Sequence, residues 1–334
     1  MEKTAIDTPK STIFSKIDLS LTSLLGLLIV LIVIFSLLTK NFFTLTNFTT
    51  IQFTLPIQGI IAVLMTLLII SGNIDLSVGA NISFSGCLLA TLLMDVKLNE
   101  YLSIALVLVA GILIGLINAF FVAKLKIHPI IVTMGTLFAF KGIAYVIVGQ
   151  GSFQSKAINI GLSQKHFDLY SFIGRGKVGI IPFSMIIFIV VFIIFWIILN
   201  KTTFGKQVFV IGGNVNAARF SGINVDKVVI ILYVLIGFFS AISGLIMASR
   251  LAGGLPNSGD GYELGIITAV LLGGASLFGG RGSLIGAGIA VILLEVVRQG
   301  INLMHVNTFW QYFLTGVLLL IAVLLDRLKS IRFA

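Results

Sequence analysis

Long apolar runs, broken by short polar or glycine-rich stretches, follow one another along nearly the whole chain. Ten such runs can be marked, at 19–38, 51–71, 76–94, 101–123, 129–149, 181–199, 227–249, 263–279, 283–303 and 308–325. Each approaches the roughly 20 residues with which an α-helix crosses the ~30 Å hydrocarbon core of a bilayer. Backbone in lipid must satisfy its own hydrogen bonds, so these runs predict helices. The first run is too long for a signal-peptide core, and no small-x-small cleavage site follows it; it reads as a retained span.

Composition agrees with the pattern. Of 334 residues 58% are hydrophobic and only 10% are charged, against roughly 25% charged in a soluble domain. Mean hydropathy is +1.14. Such a chain cannot clothe a water-soluble globule, which excludes soluble enzymes, nucleic-acid binders and disordered proteins. The predicted fold class is therefore all-α, a polytopic membrane protein embedded in a lipid bilayer. The 22 Lys and Arg exceed the 12 Asp and Glu. With the N-terminus placed inside, thirteen of these bases fall on the inner side, among them Lys124, Lys126, Lys201, Lys206 and Arg327, and seven on the outer. That bias puts both termini in the cytoplasm. Residues 1–18 then form a cytoplasmic segment, 19–328 a single transmembrane domain and 329–334 a cytoplasmic tail. Two polar connections interrupt the domain, 150–180 outside and 200–226 inside. The single Cys87 excludes a disulfide within the chain and a cysteine metal site.

Three strings stand out from the apolar background. Ser71 to Ala80, SGNIDLSVGA, places Asp75 between two apolar runs. An acid near membrane depth usually has a role; Asp75 can cap the next helix, shape a pathway, or do both. Thr202 to Val225 carries a Gly-Gly-Asn break. A short helix is predicted after Asn216 as N-cap, ending at Gly222. So short a helix needs a surface to pack on, and Phe220 offers an anchor. The third string, from Arg250 to Gly286, is glycine-dominated, and its Gly273, Gly274, Ala275 and Ser276, like Gly111 and Gly115, let helices approach closely. A short echo also relates Ala62-Val63-Leu64, Gly72 and Gly79-Ala80 to Ala269-Val270-Leu271, Gly279 and Gly286-Ala287. There is no GxxxxGK[ST] phosphate loop and no HExxH, so neither ATP hydrolysis nor other catalysis by this chain is expected.

The strings SGNIDLSVGA, TFGKQVFVIGGNVNAARFSGI, GYELGIITAVLLGGASLFGGRGS and RQGINL occur in this order and spacing. In them the chain resembles the permease subunits of ribose-type monosaccharide ABC importers, from about residue 50 to 328. The resemblance implies an all-helical subunit of about ten spans in the bacterial cytoplasmic membrane. It implies a second permease chain, identical or paralogous, a cytoplasmic ABC ATPase with two nucleotide-binding domains, and an external or periplasmic sugar-binding protein. It implies no cofactor and no nucleic acid. It also makes Thr202 to Val225 the coupling region, with Phe204, Gly213, Asn214, Ala218, Arg219, Phe220 and Gly222 as candidates for the ATPase contact. Asn73, Lys141 and Gly265 depart from the usual pattern of these permeases.

Candidate pathway residues follow from position. Phe138, Lys141 and Tyr145 lie at i, i+3 and i+7 on one helical face. Asp75, Asn81, Asn118 and Asn302 are polar groups within or between spans; the asparagines can serve sugar hydroxyls or bond neighbouring helices. Glu295 and Arg298, at i and i+3, are expected to neutralise each other. Two other functions remain open: an ABC permease for a nucleoside or branched-chain amino acid, and a secondary transporter with its ion site around Asp75.

Overall fold

A computed structural model describes residues 19–149, 156–157, 168–307 and 309–332. The expected cytoplasmic segment 1–18 lies outside the described residues, as does much of the 150–180 connection.

A helix occupies each apolar run: α1 (Leu19–Leu38), α2 (Leu45–Ile70), α3 (Val78–Met94), α4 (Glu100–Ala119) with a π-helical turn at Phe120–Lys124, and α5 (Pro129–Val148). Next come a short α6 (Asp168–Arg175), α7 (Phe183–Lys201), α8 (Thr203–Gly213), α9 (Val215–Phe220) and α10 (Val225–Leu251). The chain ends with α11 (Tyr262–Leu272), α12 (Leu284–Leu303) and α13 (Phe309–Arg332). Two-residue strands add small antiparallel pairs: β1 (Lys156–Ala157) with β4 (Gly253–Gly254), and β2 (Lys177–Val178) with β3 (Ile181–Pro182). Among the described residues, seven helices are long and apolar enough to cross a membrane, and three further apolar helices, α3, α11 and the apolar part of α13, are shorter.

The core forms around α2, which is 89% buried over its most apolar window, and α10, which is 61% buried. α1 is only 11% buried and α5 17%, so both lie at the periphery. The expected close approach at Gly111 and Gly115 is present. A methyl added to Gly115 would stand 2.3 Å from the Tyr233 carbonyl oxygen of α10. α4 and α10 therefore cross with backbones in contact, as small residues permit.

Two expectations need correction. The run at 263–279 is not one span: α11 has 11 residues, about 16 Å of helix, and stops at Leu272. The N–H of Gly274 bonds Leu271 O and that of Ala275 bonds Val270 O, with Gly274 at φ +93°. That pattern is a Schellman end, which a left-handed glycine completes. The connection at 200–226 holds two helices rather than one, and the short one starts at Asn214, not after Asn216. Asn214 is extended, and its side chain accepts from Ala217 N at 3.0 Å. In the 150–180 connection, α6 docks on the end of α10. Tyr170 donates to Ala248 O at 2.6 Å, and Arg175 Nε to Ser249 O at 2.6 Å. Burial pushes the Tyr170 phenol above its ordinary range, so it remains a donor at physiological pH.

Candidate functional site

Two non-helical segments enter the helix bundle, and both carry acids. The first joins α2 to α3. Asp75 is 2% exposed. Its Oδ1 accepts from Ser77 N at 2.7 Å and Ser77 Oγ at 2.6 Å. Its Oδ2 accepts from Asn118 Nδ2 at 3.2 Å, and that nitrogen also reaches Ser77 Oγ at 2.9 Å. Thr136 then donates to Asn118 Oδ1 at 2.8 Å. The N-cap position of α3 belongs to Ser77, while Asp75 holds the cap residue's own N–H in a turn. The α2–α3 turn and α4 meet at this carboxylate, and α5 joins them through Asn118. Tyr233 of α10 joins them by donating to Ile74 O at 2.9 Å. Asn81 bridges α3 to α10, donating to Gly237 O at 3.0 Å and accepting from Ser85 Oγ at 3.0 Å.

The second segment, residues 252–261, is a two-residue strand followed by successive turns, and it runs along α3. Gly254 lies against Cys87, and Gly259 N bonds Ser83 Oγ at 2.9 Å. It ends at Asp260, which meets Lys141 of α5 at 2.8 Å. Glu263 follows three residues later in the first turn of α11, packed so closely on α3 that a methyl on Gly79 would fall 2.2 Å from its Oε2. Lys141, Asp260, Glu263, Ala80 and Tyr312 line a cavity of about 250 Å³. Phe138 is exposed and Tyr145 half-buried on the same helix. Asn302 stands apart, exposed near the end of α12, where it accepts from Gln311 Nε2 at 2.6 Å. The sequence reading missed Asp260. Its only local sign is an acid beside Gly-Tyr-Glu at the entry to an apolar run, and its partner lies 119 residues away. Glu295 and Arg298 pair as expected, at 3.7 Å.

The opposite end of the bundle carries α8 and α9. Thr202 caps α8 by accepting from Gly205 N at 3.3 Å. Val208 and Ile211 are buried, and Phe204 packs on the core. Gly213 and Asn214 break the chain between the two helices. Ala218 is fully buried and pins α9 down, whereas Arg219 is exposed and Phe220 is 92% exposed. Gly222, at φ +78°, ends the helix. α8 is fastened to the interior at Gly212, where a methyl would fall 1.7 Å from Ile70 O and 2.5 Å from Gly280 N. Gly280 N itself donates to Ile70 O at 2.8 Å. The C-terminus of α2, the α11–α12 turn and α8 thus meet in backbone contact.

Comparison with known proteins places these features in a family. A family model described as the branched-chain amino acid transport system / permease component matches residues 47–323. The chain is similar to the ribose import permease protein of Bacillus subtilis, 37% identical over 303 residues, covering 91% of each chain. The ribose import permease protein of Escherichia coli is 35% identical, over 91% of this chain and 92% of its own. The L-arabinose transport system permease protein of Escherichia coli is 36% identical over 308 residues, 91% of this chain and 90% of its own. No solved structure matches.

Proposed function

The chain belongs to the branched-chain amino acid transport system / permease component family, and from that premise we propose that it is the membrane-spanning permease subunit of an ATP-driven ABC importer for a monosaccharide. The sugar class rests on the near full-length similarity to permeases named for ribose and L-arabinose. The observation that carries the coupling mechanism is the exposed Phe220 on a six-residue helix joined through α8 to the interior at Gly212. A cytoplasmic ATPase with two nucleotide-binding domains grips that helix and supplies the energy; this chain carries no ATPase site of its own. Motion of α8 then reaches Ile70, and through the α2–α3 turn the Asp75 cluster that binds α3, α4 and α5 together. An external or periplasmic sugar-binding protein delivers substrate at the opposite end, beside Lys141 and Asp260. Two permease chains enclose the pathway in the bacterial inner membrane.

The test is reconstitution of the permease with its ATPase and binding protein in proteoliposomes, scanning ribose, L-arabinose and leucine for uptake and stimulated ATP hydrolysis. Stimulation by a pentose supports the reading. Stimulation by leucine alone would replace the sugar with an amino acid.

A further inference from the structure

A second cavity, of about 360 Å³, lies between α2, α11, α12 and α13, and it shares Asp260, Gly261 and Tyr312 with the cavity at Lys141. Its lining runs from Asn257, Ser258 and Gln311 beside the α10–α11 and α12–α13 connections to Gln58 in the middle of α2 and Arg298 in the last third of α12. Its volume falls near the lower end of the ~300–1,000 Å³ typical of small-molecule sites. That size suits one sugar ring.

The polar groups in it are unusual for a helix interior. Arg298 lies within α12, paired with Glu295 at 3.7 Å, its guanidinium 5.0 Å from the centre of the Tyr262 ring. Gln58, 5% exposed, turns its amide oxygen to Arg298 and accepts from Nη1 at 2.8 Å. Glu295 is 2% exposed and is further bound by Thr54 and by Gln299 Nε2 at 3.2 Å. Charged side chains within membrane helices are costly and point to a functional site. Here each charge that borders the cavity is already compensated, Arg298 by Glu295 and Asp260 by Lys141. The cavity therefore offers no free counter-ion to an ammonium or a carboxylate. It does offer N–H donors of Arg298 and Gln311, amide and carboxylate acceptors, and the aromatic ring of Tyr312, packed close to Gly261. Hydroxyl-rich neutral rings want that combination: paired hydrogen bonds from a polar floor and an aromatic face for their C–H side.

We propose that this cavity is a transient subsite for a neutral monosaccharide, with Arg298 and Gln58 bonding its hydroxyls at the floor and Tyr312 covering it at the rim. The assignment rests on the transport reading above and names where in the chain the sugar pauses.

Gly265 makes the site testable. It lines the cavity, and a methyl placed on it would meet only the side-chain amide of Gln58, at an ordinary 3.8 Å. A side chain there can enter the cavity without strain. The one native cysteine, Cys87, is buried, so Gly265→Cys supplies a single accessible thiol. The full chain in membrane vesicles is labelled with a small maleimide, with ribose, L-arabinose or leucine as protectants. The expected result is labelling slowed at least threefold by one of the pentoses at millimolar concentration and unchanged by leucine. In the reconstituted importer, Gly265→Leu is expected to raise the KM for that pentose about tenfold. Labelling indifferent to both pentoses, together with normal uptake by Gly265→Leu, would overturn the subsite while leaving the transport function standing. Protection by leucine would overturn the sugar class. If the unmodified importer takes up neither pentose, the functional reading fails first and takes this subsite with it, a result visible before any variant is made.

Discussion

At the scale of single residues, Phe220 and Asp260 show what a sequence can and cannot display. Phe220 is legible because it is a large apolar side chain inside a polar segment, where burial within the chain does not explain it. The structure leaves it 92% exposed while its neighbour Ala218, two residues earlier, is fully buried. One face of α9 is thus spent on holding the helix and the other on a single aromatic side chain. Such a side chain binds best as a central anchor surrounded by a polar rim. Truncating an anchor of this kind costs about 2 kcal/mol, roughly thirtyfold in affinity. Phe220→Ala is therefore expected to lower recovery of the ATPase subunit in a pull-down and to uncouple sugar-stimulated hydrolysis, with normal insertion of the permease. Arg219→Ala, at the rim, should change recovery less than threefold. Equal recovery with wild-type and Phe220→Ala would remove α9 from the docking contact. Asp260 shows the opposite case. Nothing near it in the sequence points to Lys141, because their pairing depends on how the turns of residues 252–261 descend along α3.

At the scale of elements, hydropathy located the apolar runs but not where the backbone stays helical. Residues 275–278, Ala-Ser-Leu-Phe, are apolar enough to prolong α11, yet the chain turns at Gly274. Hydropathy weighs side chains, whereas this ending is decided by a backbone angle and by close packing: a methyl on Gly273 would fall 2.3 Å from Ala287 N. The end of α2 is built the same way, with Gly72 N on Ile69 O and Asn73 N on Leu68 O. The short sequence echo pairs this α2–α3 junction with the α11–α12 junction, and the two junctions are in contact through Gly280 N and Ile70 O. α8 completes the joint at Gly212. Adjacent glycines here should behave differently. Gly212→Ala drives a methyl into Ile70 O, and overpacking of this kind costs about 1–3 kcal/mol. At Gly213 the added methyl meets nothing within 4 Å. We expect Gly212→Ala to lower the melting temperature in detergent and to reduce uptake at least tenfold while ATPase binding persists. Gly213→Ala should match wild type in all three measurements. Indistinguishable variants would mean that α8 is not rigidly joined to the interior.

At the scale of the whole molecule, the ten-run pattern conveyed the class of the fold but not its interior. α1 and α2 read alike, with mean hydropathies of 2.9 and 2.3 over their best windows, yet one is 11% buried and the other 89%. An apolar side chain is equally at home against lipid or against protein, so hydropathy is blind to the difference. Direction is a separate matter, governed by charge. Lys126 and Asp226 pair at the end that carries α8 and α9, and Lys124, Lys201, Lys206, Arg219, Lys227 and Arg281 belong to the same set of connections. A cluster of bases on short connections stays on the cytoplasmic side during insertion. On that rule the α12–α13 connection, with exposed Asn307 and Trp310, is expected to face outward. Because Cys87 is buried, one introduced thiol at each end reports orientation without a background signal. With a membrane-impermeant maleimide, Asn307→Cys is expected to react in spheroplasts and Phe220→Cys only in inverted vesicles. The reverse pattern would turn the whole molecule over. It would place the exposed α9 helix on the side where no ATPase exists, and the coupling role of Phe220 would fall with it.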